Sequence, residues 1–283
     1  MSRFDRLLDC VCVRRAIAAN DGTASLKAVE QLGNLQVRQA WAAAKRTPPP
    51  PPPATSTKRK RVARGRATRG AGQQARAQAL KTASAAIDQG FARLQRVAAI
   101  EPSVERLSLC GSAWKRQAMV AKLAGDQGAE RAALEKMRDW YARAEDLARK
   151  TNDPGLFYPA LNRIAAEIAG AAGRRVALDA ADLDPVRQNL ADRNRDNPDF
   201  WSVVALTDLR MYEALARREL AKALPAIERD YDDLYRRCDA DWLWKSVSDQ
   251  ADFVLSIYAA ATADSELKAA QSLRESLAKK ARV

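Results

Sequence analysis

Apolar residues recur with helical spacing in eleven stretches of the chain, and nowhere with the two-residue alternation of a half-buried strand. The clearest run starts at Leu80: Leu80, Ala83, Ile87, Phe91, Leu94 and Ala98 stand at i, i+3, i+7, i+11, i+14 and i+18, one stripe of a 3.6-residue period. Leu107, Cys110, Gly111, Trp114, Ala118 and Ala121 form a second stripe, and Ala133, Met137, Trp140, Tyr141, Ala144, Leu147 and Ala148 a third. Leu224, Ile227, Tyr231, Leu234, Tyr235 and Cys238 repeat the pattern, as do Trp244, Val247, Ala251, Val254, Leu255 and Tyr258. Breakers separate the runs: Glu101-Pro102, Gly125 to Gly128, and Asn152-Asp153-Pro154-Gly155. Helices are predicted near 156–171, 184–195, 200–217, 219–238, 241–262 and 264–281, with a loop around Gly170 to Pro185. Weaker stripes over 1–19 and 23–46 predict a small helical hairpin of its own. The fold class is all-α.

Long helices joined by short turns lie antiparallel to their neighbours, and a series of such hairpins either closes into a bundle or stacks into a solenoid. The choice depends on repeats, and the tetratricopeptide spacing is matched in part, which favours the solenoid. Gly111 and Trp114 fit the small-then-aromatic spacing of a first helix, and Tyr141 and Ala144 the aromatic-then-alanine spacing of a second. The two halves stand too far apart for a regular 34-residue unit, so the helices must be extended. Leu209, Tyr212, Leu224, Tyr231 and Leu234 supply a weaker second pair.

Charge divides the chain unevenly. Residues 1–100 hold 19 Lys/Arg against 5 Asp/Glu, and residues 101–283 hold 29 against 30, so the net +13 belongs to the first third. Much of it lies in a tract of different material. Six prolines, Pro48 to Pro53, favour an extended polyproline II rod of roughly 19 Å. Lys58, Arg59, Lys60, Arg61, Arg64, Arg66, Arg69 and Arg76 follow with no acid among them. Such a run cannot pack a core, and residues 47–75 are expected to be a disordered linker. Its cations are candidate polyanion contacts; eight phosphate partners would give a log affinity against log salt slope of about −7. No aromatic interleaves them, so single-strand stacking is missing.

Three segments carry a family likeness: Val104-Glu105-Arg106-Leu107-Ser108-Leu109-Cys110-Gly111-Ser112-Ala113-Trp114-Lys115-Arg116, Trp140-Tyr141-Ala142-Arg143-Ala144, and Phe157-Tyr158-Pro159-Ala160-Leu161-Asn162. Over roughly 76–262 the chain resembles the degenerate tetratricopeptide region of bacterial signalling and conflict proteins, the one called the TRAF-binding or MAP-kinase-kinase-kinase-associated helical domain. The resemblance implies a TPR-like helical array that binds a protein partner and commonly sits behind an effector domain. The 46 residues ahead of the proline tract are too few for such an effector. Gly111, Trp114 and Tyr141 read first as packing residues. Lys115, Arg116, Asn162 and Arg163 are the candidate partner-binding set, with Asn162 either tying a loop to its helix or holding a peptide backbone.

Catalysis is poorly provided for. The chain has no histidine, which removes the commonest general base and most zinc sites, and it has no phosphate-binding glycine loop. The carboxylates Glu228, Asp230, Asp232, Asp233, Asp239 and Asp241 read as a solvated acidic face able to meet a basic partner or the chain's own basic arm. No apolar run reaches bilayer length, the start is a poor signal peptide, and four cysteines without framework spacing suit free thiols in a cytoplasm. The expectation is therefore a cytoplasmic, non-catalytic adaptor without cofactor or metal, in three parts: 1–46, 47–75 and 76–283. The alternative is a nucleic-acid-associated protein anchored by the arm 58–76.

Overall fold

In the computed structural model, residues 25–48 and 62–282 are described, and among them every regular element is a helix. Chain order gives α1 (Leu26–Lys45), α2 (Val62–Ile100), α3 (Val104–Ala124), α4 (Gln127–Thr151) and α5 (Phe157–Gly170). It continues with α6 (Ala180–Asp196), α7 (Phe200–Arg217), α8 (Leu220–Arg237), α9 (Asp241–Ala260) and α10 (Asp264–Lys280). No helix among the described residues is long and apolar enough to cross a membrane.

Local chemistry sets the boundaries. Ser25 Oγ accepts from Ala28 N at 3.1 Å to start α1, and Ser103 Oγ accepts from Arg106 N at 3.2 Å to start α3. Asp199 and Ser202 make a reciprocal capping box at α7: Ser202 N donates to Asp199 Oδ1 at 2.7 Å, and Asp199 N donates to Ser202 Oγ at 3.1 Å. Gly125 ends α3 in the left-handed conformation (φ 75°), a turn that a side chain would strain.

The chain forms two compact units, Met1–Ala133 and Leu134–Val283. In the first, α1 packs along α2, α2 along α3, and α1 also touches α3. The α1 to α2 crossing is made at two glycines. A Cβ on Gly90 would stand 2.6 Å from Val37 Cγ2 and 2.8 Å from Gly33 O, so the backbones approach where no side chain fits. Glu30 is buried at this junction, where it pairs with Lys27 (2.5 Å) and with Arg106 of α3 (3.0 Å).

In the second unit adjacent helices again pack as pairs, and contacts that skip one helix, α5 with α7 and α8 with α10, stack pair on pair. This is the packing of a TPR-like α-solenoid. The aromatic interior is tied by its polar tips. Trp244 Nε1 donates to Cys238 O (2.6 Å), Tyr231 donates to Asp208 (2.6 Å), and Tyr212 accepts from Gln250 (2.9 Å). Burial, with Asp208 nearby, pushes the Tyr212 and Tyr231 hydroxyls well above the usual phenol range. Glu266 of α10 reaches the start of α8, accepting from Leu220 N and Ala221 N at 3.0 Å each and from the Tyr258 hydroxyl at 2.6 Å.

Three expectations change. The helix predicted over 23–46 is not part of a hairpin apart: α1 docks on α2 and α3, while residues 1–19 lie outside the described residues. The linker does not run to residue 75, because α2 starts at Val62; residues 49–61 lie outside the described residues. Alanine and arginine are good helix formers, and extending a helix that already exists costs little. Third, α6 begins at Ala180 rather than near 184. Asp179 Oδ1 accepts from Ala181 N at 3.0 Å, and Pro185 lies inside the helix rather than at its edge.

Candidate functional site

The first unit contains an open groove of about 420 Å³ between α2, α3 and the first turn of α4. That volume is in the range of sites that take small ligands or a short stretch of chain. The stripe that buries α2 turns Leu80 into the floor, beside Val120 and Ala121 of α3, all three buried. Arg76, Lys81, Gln117 and Asp126 contribute the polar rim.

The rim is held in place from within. Gln117 Nε2 donates to Ser84 Oγ at 2.6 Å and to Asp88 Oδ1 at 3.3 Å, bracing α3 against α2. Asp126 Oδ1 accepts from Ala129 N at 2.9 Å and so caps the first turn of α4. Arg76 closes one end: its guanidinium donates to Leu123 O at 2.6 Å, in the last turn of α3, and to the carbonyls of Thr47 and Pro48. A cation at that helix end also meets the negative pole of its dipole. Arg76, expected in the basic arm, is thus a structural clasp. Lys81 stays exposed at the rim. An apolar floor with a hydrogen-bonding margin can hold an extended chain by burying its apolar side chains and meeting its backbone.

The predicted site residues fall elsewhere. Lys115 and Arg116 lie half-buried on α3, and Arg116 turns back to donate to Ser112 O at 3.0 Å. Asn162 and Arg163 belong to α5 in the second unit. Asn162 is buried, and its Nδ2 donates to Tyr158 O one turn back at 2.9 Å. Arg163 bridges Glu145 at 2.6 Å and Glu167 at 2.8 Å. Burial alone would lower its pKa, but the two carboxylates outweigh that and hold it above the ordinary guanidinium value. Both residues serve the interior of their unit. Lys58, Arg59, Lys60 and Arg61 lie outside the described residues, and Arg64, Arg66 and Arg69 are carried on the helical backbone of α2.

The acidic face is also less bare than its sequence reads. Arg210 pairs with Asp230, Arg236 with Asp233, Lys280 with Asp232 at 2.5 Å and Arg282 with Asp241 at 3.1 Å. These four carboxylates thus have cationic partners within the second unit. Sequence reasoning missed the groove because Val120 lies off the α3 stripe and Lys81 looks like any solvated cation. The one usable signal was Leu80, the first member of the α2 stripe.

No curated protein and no solved structure matches the chain. A family model does: that of Tetratricopeptide Repeats-Sensor, over residues 11–167. The match starts well before residue 76 and stops well short of 262, so it takes in α1 through α4, most of α5 and the whole groove. It includes the three segments that carried the resemblance. Such helical repeats generally mediate protein–protein contact and are typically non-catalytic. With more than half of its 283 residues inside the match, the chain belongs to the Tetratricopeptide Repeats-Sensor family.

Proposed function

We propose that this protein is a non-catalytic adaptor that takes a segment of a protein partner in the groove between α2 and α3. We further infer that it works in the cytoplasm, in a bacterial signalling or defence system of the kind its segments resemble. The observation that carries the reading is the groove itself: a buried apolar floor of Leu80, Val120 and Ala121, a braced polar rim, and a position wholly inside the family-matched stretch. The word Sensor in the family's name accords with a role in which an occupied groove is reported onward.

The test fills the groove without touching the core. Ala77 lines it and is solvent-exposed, so Ala77→Trp places an indole in the space a partner would use. A defined protein captured by the wild-type chain should be lost from Ala77→Trp while far-UV helicity stays the same. Equal capture by both chains would sink the reading.

A further inference from the structure

The second unit presents an aromatic surface that lies beyond the family-matched residues and that the groove does not use. Phe200 and Trp201 open α7, and Trp242 and Trp244 sit in the first turn of α9. Trp244 is fully buried, with ring centroids 5.8 Å from Phe200, 6.3 Å from Tyr231 and 5.3 Å from Tyr235. Phe200 carries the cluster outward to Trp201, 5.2 Å away. Trp201 in turn meets Trp242, with centroids 6.3 Å apart and planes inclined at 61°. Trp201 is 39% exposed and Trp242 66%.

Packing between α7 and α9 is already supplied by the inner rings, so the outer pair is not needed to close the core. Exposed indoles are costly to leave in water, and tryptophan is enriched at the energetic centres of protein interfaces. The surroundings narrow the occupant. Asp199 is held by Arg193 at 2.8 Å, Asp196 by Arg195 at 2.8 Å and Asp241 by Arg282 at 3.1 Å, and Lys245 follows Trp242 by one turn. With its carboxylates matched in this way, the patch has little attraction for a basic run. It suits uncharged rings. Two inclined aromatic faces are the general receptor for a polyproline II strand, and two residues of that strand rise about 6 Å, the separation of the two indoles.

The chain itself carries such a ligand in Pro48–Pro53. Where the structure describes its first residue, Arg76 engages the carbonyl oxygen of Pro48 and not its ring. We propose that Trp201 and Trp242 bind the Pro48–Pro53 tract of a second copy of this chain. The contact is reciprocal: each copy gives its prolines and receives its partner's. Two identical contacts related by a two-fold axis close a dimer and reinforce each other. A pre-extended proline strand loses little entropy on docking, which favours a weak but specific association.

Sedimentation velocity on the full chain tests this. Wild type should dimerise as concentration rises through the micromolar range. Trp242→Ala should associate at least tenfold more weakly, and so should a chain with Pro48–Pro53 replaced by Gly-Ser repeats. A mixture of the two variants should associate more tightly than either variant alone and more weakly than wild type, because one copy keeps the indoles and the other the prolines, so that one of the two reciprocal contacts is restored. Excess hexaproline peptide should dissociate the wild-type dimer, a readout that does not depend on any variant folding. A wild type that stays monomeric, variants that dimerise as tightly as wild type, a mixture no better than its components, or a dimer indifferent to hexaproline would each overturn the proposal.

Discussion

Glu145 on α4 and Arg163 on α5 share a 2.6 Å ion pair from which water is nearly excluded: the two side chains are 5% and 13% exposed. Arg149 meets the same carboxylate at 2.6 Å, and Glu167 meets the guanidinium at 2.8 Å. A buried set like this contributes less than its distances suggest, because desolvation offsets the attraction, but breaking it strands a charge. Glu145→Ala is therefore expected to lower the unfolding free energy by about 3 kcal/mol. Replacing Glu145 and Arg163 together by Leu and Met should recover much of that. Urea midpoints of wild type, Glu145→Ala and the paired Leu/Met replacement check both outcomes.

Two glycines of α2 make a matched pair of opposite sign. Gly72 meets nothing within 4 Å, so Gly72→Ala should gain about 1 kcal/mol of helix propensity without penalty. Gly90→Ala has the same intrinsic gain but drives a methyl into Val37 and the Gly33 carbonyl, and overpacking of this kind costs about 1–3 kcal/mol. Thermal melts should move in opposite directions. In Gly90→Ala, amide exchange should accelerate along α1.

The α7 capping box carries a pH signature. Burial pushes the Asp199 carboxyl up, but Arg193 and the donors from Ser202 outweigh it and hold the group below its ordinary 3.8. A carboxylate depressed in the folded state adds stability that is fully present above the unfolded value, and that stability is lost as pH falls through the folded one. Asp199→Ala should thus cost about 1 kcal/mol at neutral pH, the usual worth of an N-cap. The gap to wild type should close as pH drops below the ordinary aspartate range. Paired urea titrations from neutral to acid pH would show it.

Helix α7 could be read directly, because Asp199 marks its start, its apolar positions keep the period, and the predicted 200–217 is the observed span. Contacts between distant residues could not. The Glu30 to Arg106 pair joins residues 76 positions apart, and nothing local distinguishes Glu30 from a solvated glutamate. For the same reason α1 looked separable: what docks it is Gly33 meeting Gly90, and a glycine within a helical stripe reads as a weakness rather than as a contact. Pro185 misled in the other direction. Proline usually marks a boundary, but here Asp179 had already started the helix, and the ring removes only one bond, to the carbonyl of Ala181. Of the predicted binding residues, Asn162 stands out in the sequence as polar beside an apolar stripe, and in the structure it is buried with the carbonyl one turn back as its partner. The groove is a property of two helices lying together, and each contributes to it residues that look ordinary in sequence.

Glu266 has a consequence for how the chain comes into being. The first two amides of α8 depend on a carboxylate that follows them by 46 and 45 positions. A ribosome delivers the chain from its beginning, so α8 emerges with those amides facing water and stays unfinished until α10 has been made. A chain that stopped short of Glu266 would leave the opening turn of α8 frayed however complete the helix itself was. Completion of α8 therefore waits on the synthesis of α10.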